Sequence, residues 1–269
     1  MNKLYKVAFI TDASSPSGQA VARRLAADGY ALALHDASSA PRSANQSAAI
    51  DASRVTAMRT SGPLTSLEAV QKVTDQVVQA LGPIDVLVHN PEQVVRVPVE
   101  LCTEEQFQSA VDDHVKSAFF CTQHIGAQMA AREQGQILYV SSIHDEKPTG
   151  SAFLYSIAKG AIKMLCREAA LSLGRHGVRV NVIEMGPIAG DDERFASDIS
   201  DLYVNYETKV PSAQLGTVDD LAHLIGFLVS DEARYLNGAD VRLDGGFLLH
   251  YMDHKMKKLD GDRERSGHH

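Results

Sequence analysis

Short apolar runs rich in β-branched residues alternate with longer segments of helical periodicity along this chain, and this alternation constrains its fold most. The apolar runs predict seven strands, at Tyr5–Thr11, Ala31–His35, Val55–Arg59, Ile84–His89, Ile137–Ser141, Arg179–Glu184 and Asp240–Leu243. The segments between them predict helices, at Gly18–Asp28, Leu67–Leu81, Thr103–Ala131, Leu154–Leu173 and Val218–Val229. Strands that alternate with helices pair in parallel and bury both faces of the sheet. We therefore predict an α/β fold with a doubly wound, seven-stranded parallel sheet and helices on both faces.

Composition and charge narrow the class of protein. The chain has 269 residues, of which 44% are hydrophobic and 22% charged, as is typical of a globular protein. A formal net charge of −8 argues against a nucleic-acid partner, because such proteins usually carry a basic excess. No apolar run approaches the roughly 20 residues of a membrane helix, and the N-terminus does not resemble a signal peptide. We therefore expect a cytoplasmic protein with no membrane partner.

No Pro/Gly/Ser-rich linker divides the chain, so we expect a single domain over residues 1–250 and a C-terminal tail over residues 251–269. Cys102, Cys121 and Cys166 are odd in number and lack the spacing of metal ligands, which predicts reduced thiols. His250 and His254 are four residues apart, but no third ligand accompanies them. We therefore expect no metal site.

Tyr155 and Lys159 are the residues that most suggest chemistry. Side chains four apart share one face of a helix, and an ammonium beside a phenol favours the phenolate. The pKa of Tyr155 should then fall from about 10 toward neutrality, which suits a proton donor and acceptor for a carbonyl or alcohol oxygen. Ser142 follows a predicted strand at the edge of the sheet where ligands bind in doubly wound folds. We expect Ser142 to donate a hydrogen bond to the same substrate oxygen.

Further markers surround this group in a familiar order and spacing: Asn90, Ser142, Tyr155, Lys159, Asn181, Gly186, Asp219, Gly238 and the turn Asp244-Gly245-Gly246. With them, the sequence resembles the short-chain dehydrogenase/reductase family over about residues 4–248. The resemblance implies a Rossmann-like fold and an enzyme that uses a nicotinamide cofactor to interconvert small or medium alcohols and carbonyls. It implies that Tyr155 is the general acid/base, that Lys159 lowers its pKa and binds the nicotinamide ribose, and that Ser142 orients the substrate. It also implies a homo-oligomer, a tetramer or a dimer.

The cofactor turn departs from the family's pattern, Thr-Gly-x-x-x-Gly-x-Gly. In Thr11–Gly18 the first glycine is replaced by Asp12 and the second by Pro16, and only Gly18 remains. Glycines there allow the backbone to approach a pyrophosphate closely, so we expect weaker dinucleotide binding. The following helix still offers N–H groups and its dipole, and hydroxyl donors come from Ser14, Ser15 and Ser17. Alternatively the turn is remodelled, and Asp12 points to solvent or caps it.

Asp36 lies eighteen residues after Gly18, at the spacing of the acid that bonds the adenosine ribose and repels a 2′-phosphate. This spacing favours NAD(H). Arg42 lies close enough in sequence to offset Asp36, so NADP(H) stays possible. The family's Asn-Ala-Gly segment appears as Asn90-Pro91-Glu92, which retains the Asn but leaves the path of the loop open. Pro63 replaces the family's adenine-contacting Asp.

His114 occupies the position at which the family has an Asn that helps hold a water in a proton relay from the Lys. A neutral His has one donor and one acceptor nitrogen, so it can bridge such a relay. Because an unperturbed His titrates near pH 6.5, we expect activity to fall as His114 is protonated. The alternative is a helix histidine whose ring is satisfied by backbone carbonyls.

The segment after the sixth strand suggests the nicotinamide contacts and the substrate lid. Gly186 matches the family pattern, Ile188 is expected to contact the nicotinamide through its backbone, and Gly190 replaces the Thr that holds the carboxamide. The expected lid, Asp191–Ala213, carries acids that include Asp191, Asp192, Glu193, Asp198 and Asp201. Facing inward they would disfavour anionic substrates such as acyl-carrier thioesters; alternatively they form a solvated surface.

Past the last strand, Phe247, Leu248 and Leu249 are expected to be exposed on a subunit contact within Leu236–Leu249.

Two functions follow from these residues. The first is an NAD(H)-dependent oxidoreductase, because the residues of proton transfer are intact. The second is a catalytically impaired protein of the same fold that acts as a binding or regulatory module, because Asp12, Pro16, Pro63, His114 and Gly190 replace family residues.

Overall fold

The computed structural model describes residues 5–37, 56–197 and 200–249. In these ranges seven strands form one sheet in the order β3-β2-β1-β4-β5-β6-β7, with every neighbouring pair parallel. The strands are β1 (Val7–Thr11), β2 (Ala31–Asp36), β3 (Ala57–Ser61), β4 (Val86–His89), β5 (Gly135–Ser142), β6 (Val178–Met185) and β7 (Asp240–Leu243). The predicted doubly wound parallel sheet is thereby confirmed. Strand ends moved by up to two residues, because pairing rather than apolar content decides where a strand stops.

Helices cover both faces. They are α1 (Pro16–Ala27), α2 (Leu67–Leu81), α3 (Glu104–Ala110), α4 (Ser117–Ala131), α5 (Phe153–Gly174), the short α6 (Asp191–Arg194) and α7 (Val218–Leu228). One face packs α1 and α7 over the central strands, and the other packs α2, α4 and α5. Single-turn 3₁₀ helices lie at Val99–Leu101, Ile143–Asp145, Tyr206–Thr208, Asp231–Ala233 and Phe247–Leu249. None of the helices in the described ranges is long and apolar enough to cross a membrane.

The helix predicted over Thr103–Ala131 is divided into three parts. It begins with a capping box: the Thr103 hydroxyl accepts from the backbone N–H of Gln106, whose side chain accepts from the N–H of Thr103. Between α3 and α4, however, residues Val111–Lys116 form a π-helix. Such wide turns are rare and occur often at functional sites, and this one carries His114.

Strand order places the ligand edge. The chain leaves β1 toward one face and β4 toward the other, so a cleft opens at their carboxyl ends, which is where doubly wound sheets bind ligands.

In the core, Cys121 and Cys166 are unpaired and buried, and burial raises the pKa of each thiol to about 12. These two residues are therefore inert packing side chains, and Cys102 is also unpaired, as predicted.

The segment after β7 differs from expectation. Phe247 was expected to be exposed but is buried, because it packs in an apolar cluster with Tyr203, Tyr206 and Val210. Leu248 is half-buried against the same cluster, and only Leu249 is well exposed. The whole predicted tail, residues 251–269, lies outside the described residues, and so do Arg42, Asp198 and His250 of the sequence predictions.

Candidate active site

Ser142, Tyr155 and Lys159 come together at the carboxyl edge of the sheet. Ser142 ends β5, and Tyr155 and Lys159 lie in the first two turns of α5. The Ser142 hydroxyl hydrogen-bonds the Tyr155 hydroxyl, and the Lys159 ammonium lies 5.0 Å from the centre of the Tyr155 ring. All three are at most 6% exposed. The arrangement can deliver one proton to an oxygen held between Ser142 and Tyr155.

The predicted fall in the pKa of Tyr155 is wrong in this structure. Burial raises the pKa of Tyr155 to about 12, and the nearby Arg194 and the bond from Ser142 reduce the rise. Lys159 does not hold the phenolate, because its ammonium donates to the carbonyls of Pro91 at 3.0 Å and Val140 at 2.9 Å. Burial, aided by repulsion from Arg194, lowers the pKa of Lys159 to about 7. Tyr155 therefore holds its proton at neutral pH.

His114 lies on the π-helix against Tyr155, with ring centroids 5.9 Å apart. Its Nε2–H donates to the Gln93 carbonyl at 3.0 Å, so Nδ1 carries a lone pair. Nδ1 has no hydrogen-bond partner among the residues that the structure describes. Burial lowers the pKa of His114 to about 3, so the expected titration near pH 6.5 is wrong and the ring is neutral.

A small cavity adjoins His114. Its volume is about 10 Å³, and it is lined by both His114 and Tyr155 and also by Asp113 and Ser109. That volume is close to the least that holds one water. The cavity therefore suits a single water between the unpaired Nδ1 and neighbouring polar groups.

An aromatic lid covers Tyr155. Phe195 stacks on Tyr203 and lies 5.5 Å from the ring centre of Tyr155, and Tyr206 extends the cluster. His144, two residues after Ser142, joins it: Nδ1 lies 3.3 Å from the Ser142 hydroxyl and Nε2 lies 3.1 Å from the Tyr203 hydroxyl. The sequence prediction missed His144, and its one available signal was its closeness to Ser142.

The acids of the lid differ in how far they are exposed to solvent. Asp192, Glu193 and Asp201 are exposed, in agreement with the solvated alternative. Asp191 is buried, and burial raises the pKa of its carboxyl to about 6. Its carboxylate accepts from the backbone N–H of Ile188 at 2.9 Å, and the Ile188 carbonyl accepts from Tyr206. The backbone of Ile188, expected at the nicotinamide, is thus bonded within the lid.

A cleft of about 1510 Å³ runs from the lid across the ends of β1, β2 and β3. Gly18 packs closely against the turn before α1, because a Cβ there would lie 2.3 Å from the Asp12 carbonyl. The Asn90 N–H donates to the Thr11 hydroxyl at 2.9 Å, and the Asn90 amide donates to the Ser17 hydroxyl at 2.7 Å. Gly186 packs against the turn after β7, where its Cβ would lie 2.5 Å from Asp244 Cα. Of the predicted cofactor residues, Thr11, Ser14, Asp36 and Ile188 line the cleft, whereas Ser17, Gly18, Asn90 and Gly186 are not among its lining residues.

The serines of the turn serve mostly the turn itself. Ser15 caps α1, accepting from the Gly18 N–H at 3.1 Å and donating to the Asp12 carbonyl at 2.7 Å. Pro16 is the first residue of α1, where its missing N–H has no intrahelical partner to lose. The Ser14 N–H donates to the Asp36 carboxylate at 2.9 Å.

Asp36 has a basic neighbour that the sequence prediction did not name. The Arg59 guanidinium on β3 lies 3.7 Å from the Asp36 carboxylate, and both line the cleft. Arg59 lies on β3, the strand next to β2, which ends at Asp36. Only the pairing of these two strands reveals that Arg59 is close to Asp36.

Glu92 lies in the cleft and connects three parts of it, which the sequence did not predict. Its carboxylate accepts from the backbone N–H of Ser17 at 3.2 Å and from the Ser17 hydroxyl, at the first turn of α1. Its own N–H donates to the Asp12 carboxylate at 3.1 Å, and its carbonyl accepts from Arg194 of the lid. Asp12, with φ 49°, takes the left-handed conformation for which the family uses glycine. The Asp12 carboxylate therefore caps the neighbouring loop at Glu92, whereas the alternative prediction was that it points to solvent or caps its own turn.

Comparison with known proteins covers nearly the whole chain. The sequence profile of the family described as enoyl-(acyl carrier protein) reductase matches residues 13–248. The 3-oxoacyl-[acyl-carrier-protein] reductase of Staphylococcus aureus is 28% identical over 247 residues, which are 92% of this chain and 100% of the relative. The crystal structure of acetoin dehydrogenase from Enterobacter cloacae matches with a TM-score of 0.80 at 25% identity, covering 94% of this chain and 100% of that one. An NAD⁺-bound xylitol dehydrogenase matches with a TM-score of 0.80 at 28% identity, covering 91% and 100%.

Proposed function

The chain belongs to the short-chain dehydrogenase/reductase family of oxidoreductases, and we propose that it transfers hydride between NAD(H) and a small or medium carbonyl or alcohol, with Tyr155 as general acid/base. One observation carries the proposal: the buried Tyr155 hydroxyl is bonded by Ser142 and flanked by Lys159, beneath an aromatic lid at the edge of a large cleft. The single sheet, which takes strands from Val7 to Leu243, supports one domain.

The residues of the cleft fit a nicotinamide dinucleotide. Thr11, Ser14 and Asp36 line the cleft. We assign Asp36 to the adenosine ribose and Lys159, whose ammonium donates to the Pro91 carbonyl, to the nicotinamide ribose. Bound there, the cofactor supplies or accepts the hydride at the substrate carbon. Glu92 opposes this fit, because its carboxylate accepts hydrogen bonds at the first turn of α1.

The charges of the cleft support NAD(H). Six acids line it against three basic side chains: Asp12, Asp36, Glu92, Asp112, Asp113 and Asp191 against Arg59, Lys72 and Arg194. The additional phosphate of NADP(H) would meet repulsion from most of this surface. The Arg59–Asp36 pair is the feature that keeps NADP(H) as the alternative.

Tyr155 acts as an acid in this mechanism. Its raised pKa keeps the phenol protonated at neutral pH, so it can donate to a carbonyl oxygen as negative charge develops there. Ser142 holds the same oxygen. Oxidation of an alcohol requires the phenolate, which burial disfavours, so carbonyl reduction is the favoured direction near pH 7.

The lid selects compact, uncharged substrates. The lid side chains that cover Tyr155 are aromatic, the polar atoms of Tyr203 and His144 are bonded to each other, and the nearby Asp191 repels anions. Among the relatives described above, acetoin dehydrogenase is named for a compact, uncharged substrate of this kind. We therefore favour small hydroxyketones and diketones over acyl-carrier thioesters.

A Tyr155→Phe variant tests this function. We expect a loss of NADH-dependent diketone reduction by a factor of about 10² to 10⁴, because the proton donor is removed. NADH binding, followed by nicotinamide fluorescence, should be retained. Tyr235→Phe, at a side chain that is 99% exposed, is the matched control. Full activity of Tyr155→Phe would contradict the proposal.

The second candidate is an impaired protein that binds or regulates, and Glu92 on α1 favours it. Titration with NADH and NADPH separates the two candidates. An enzyme binds one of them, whereas no binding of either at millimolar concentration would support the impaired protein.

We also propose a homo-oligomer in the cytoplasm. Large apolar side chains are exposed on α4 and α5, at Phe119, Phe153, Ile157, Met164 and Leu171. An exposed apolar surface of this kind marks an interface. Light scattering after size exclusion should give a dimer or tetramer, and a monomer would contradict this part.

A further inference from the structure

The first turn of α1 carries a carboxylate of the chain itself. Helix N-termini after the first strand of a doubly wound sheet bind the pyrophosphate of a dinucleotide, because their N–H groups and dipole favour negative charge. Here the Ser17 N–H and hydroxyl both donate to Glu92, which follows β4 on the other side of the cleft. We call these two donors of Ser17 the phosphate seat.

Two contacts hold Glu92 in place. The Asp12 carboxylate accepts from the Glu92 N–H at 3.1 Å, and Asp12 keeps a left-handed conformation at φ 49° to reach it. From the opposite wall, Arg194 donates to the Glu92 carbonyl. The N–H and the carbonyl of Glu92 are therefore both hydrogen-bonded, and the Glu92 carboxylate is directed to the phosphate seat.

We propose that Glu92 occupies the phosphate seat as an internal competitor, so that NAD(H) binds only when this carboxylate leaves Ser17. The inference rests on the proposed function, since it concerns the same cofactor. A phosphate oxygen and a carboxylate oxygen cannot accept the same N–H and hydroxyl protons, and their charges repel. The apparent dissociation constant then equals the intrinsic one divided by the fraction of molecules with the seat free.

Replacing Glu92 tests this competition. Glu92→Gly empties the seat and should tighten binding of NADH, and of ADP as a probe with a diphosphate but no nicotinamide, by on the order of tenfold or more. Glu92→Gln keeps an acceptor without charge, so its gain should be smaller. Binding is measured by nicotinamide fluorescence for NADH and by calorimetry for ADP.

Two further variants complete the test. Glu232→Gln removes the same charge from an exposed residue just ahead of β7, at the amino edge of the sheet, and should leave both affinities unchanged. Asp12→Gly removes the hold on the Glu92 N–H and suits the left-handed backbone, so it should also tighten binding. It stands in for Glu92→Gly if that variant does not fold.

The outcomes distinguish the proposal that Glu92 competes with the cofactor from the proposed function itself. Equal affinity of wild type, Glu92→Gly and Asp12→Gly, with measurable NADH binding, overturns the competitor and leaves the proposed function intact. A gain shared by Glu232→Gln also overturns it, because long-range charge would then explain the effect. No binding of NADH or ADP to any variant overturns both.

Discussion

Tyr155 and Lys159 are both almost fully buried, 6% and 1% exposed, and burial acts on them in opposite directions. It raises the pKa of the phenol to about 12 and lowers the pKa of the ammonium to about 7. Both shifts favour the uncharged form. The pair is therefore poised with its proton on Tyr155, as a donor.

Lys159→Met tests the cost of the buried ammonium. The folded pKa of Lys159 is depressed below its unfolded value of about 10.4, so the unfolded state binds more protons between pH 7 and pH 10. Wild-type stability should therefore rise across this range relative to Lys159→Met, in urea unfolding at each pH. A pH-independent difference between the two proteins would contradict the shift. Lys147→Met provides the matched exposed control.

His114 acts, in our hypothesis, through the lone pair of Nδ1. Because the pKa of His114 is about 3, the pH–rate profile should show no His114 limb between pH 5 and pH 8. His114→Asn can supply an oxygen acceptor and should retain most activity, whereas His114→Phe cannot and should lose about tenfold to a hundredfold in kcat. Equal kcat for both variants, at unchanged NADH affinity, would remove His114 from the relay.

At the scale of elements, α5 is joined to the sheet by an ion network around Lys163. Its ammonium lies 2.8 Å from Glu146, 3.8 Å from Asp145 and 3.7 Å from Asp240, and also contacts the buried Glu184. This arrangement accounts for the three neighbouring acids Asp145, Glu146 and Glu184 without a metal ion. The network fixes the helix that carries Tyr155.

Lys163→Gln should therefore destabilise the fold by about 3 kcal/mol, because it leaves buried carboxylates without their cation. Lys72→Gln, at an exposed site on α2, should change the free energy of unfolding by less than about 0.5 kcal/mol. Urea unfolding at pH 7 measures both. Arg242 also contacts Glu146 and Glu184, and Arg167 contacts Asp240. Similar small values for the two variants would contradict the prediction, because these arginines would then balance the carboxylates without Lys163.

Elements with strong periodicity were predictable, and contacts between distant loops were not. The seven strands, among them the one that ends at Ser142, and the helix that carries Tyr155 follow from apolar spacing, which needs only local sequence. The π-helix at Val111–Lys116 has no such signature, because its six residues are too few to establish a period of their own. Glu92 reaches Ser17 across 75 residues of sequence, and that contact depends on the path of a loop.

The direction of the Tyr155 shift was not predictable for a related reason. Spacing of four residues places Lys159 near the ring, but it does not reveal the depth of burial or the two carbonyls that take the ammonium. Burial then outweighed the neighbouring charge.

For the whole molecule, buried histidines dominate the response to acid. Burial lowers the pKa of His35 to about 4 and of His114 and His144 to about 3, and that of His89 well below its ordinary value. Each folded pKa lies below the unfolded one, so stability is lost as pH falls below about 6.5. Asp145 and Asp191, with pKa values raised to about 6, oppose this loss between pH 6 and pH 4.

Four histidines outweigh two carboxyls, and we expect the free energy of unfolding to decrease from pH 6.5 to pH 4.5. His35→Gln should reduce the slope by up to about 1.4 kcal/mol per pH unit, the value for one proton. His223→Gln, at an exposed residue of α7, should leave it unchanged. A stability that is flat over this range would contradict the assignment.

The contact between Arg194 and the Glu92 carbonyl has a kinetic consequence. Arg194 belongs to the lid over Tyr155, and Glu92 belongs to the loop at the phosphate seat. We call their contact the latch, because it would control the entry of both the cofactor and the substrate. A cofactor that displaces Glu92 also frees the lid, whereas a substrate arriving first meets the latch closed. Compulsory-order turnover, cofactor leading, is the expected result, and product-inhibition patterns that show random order would speak against the latch.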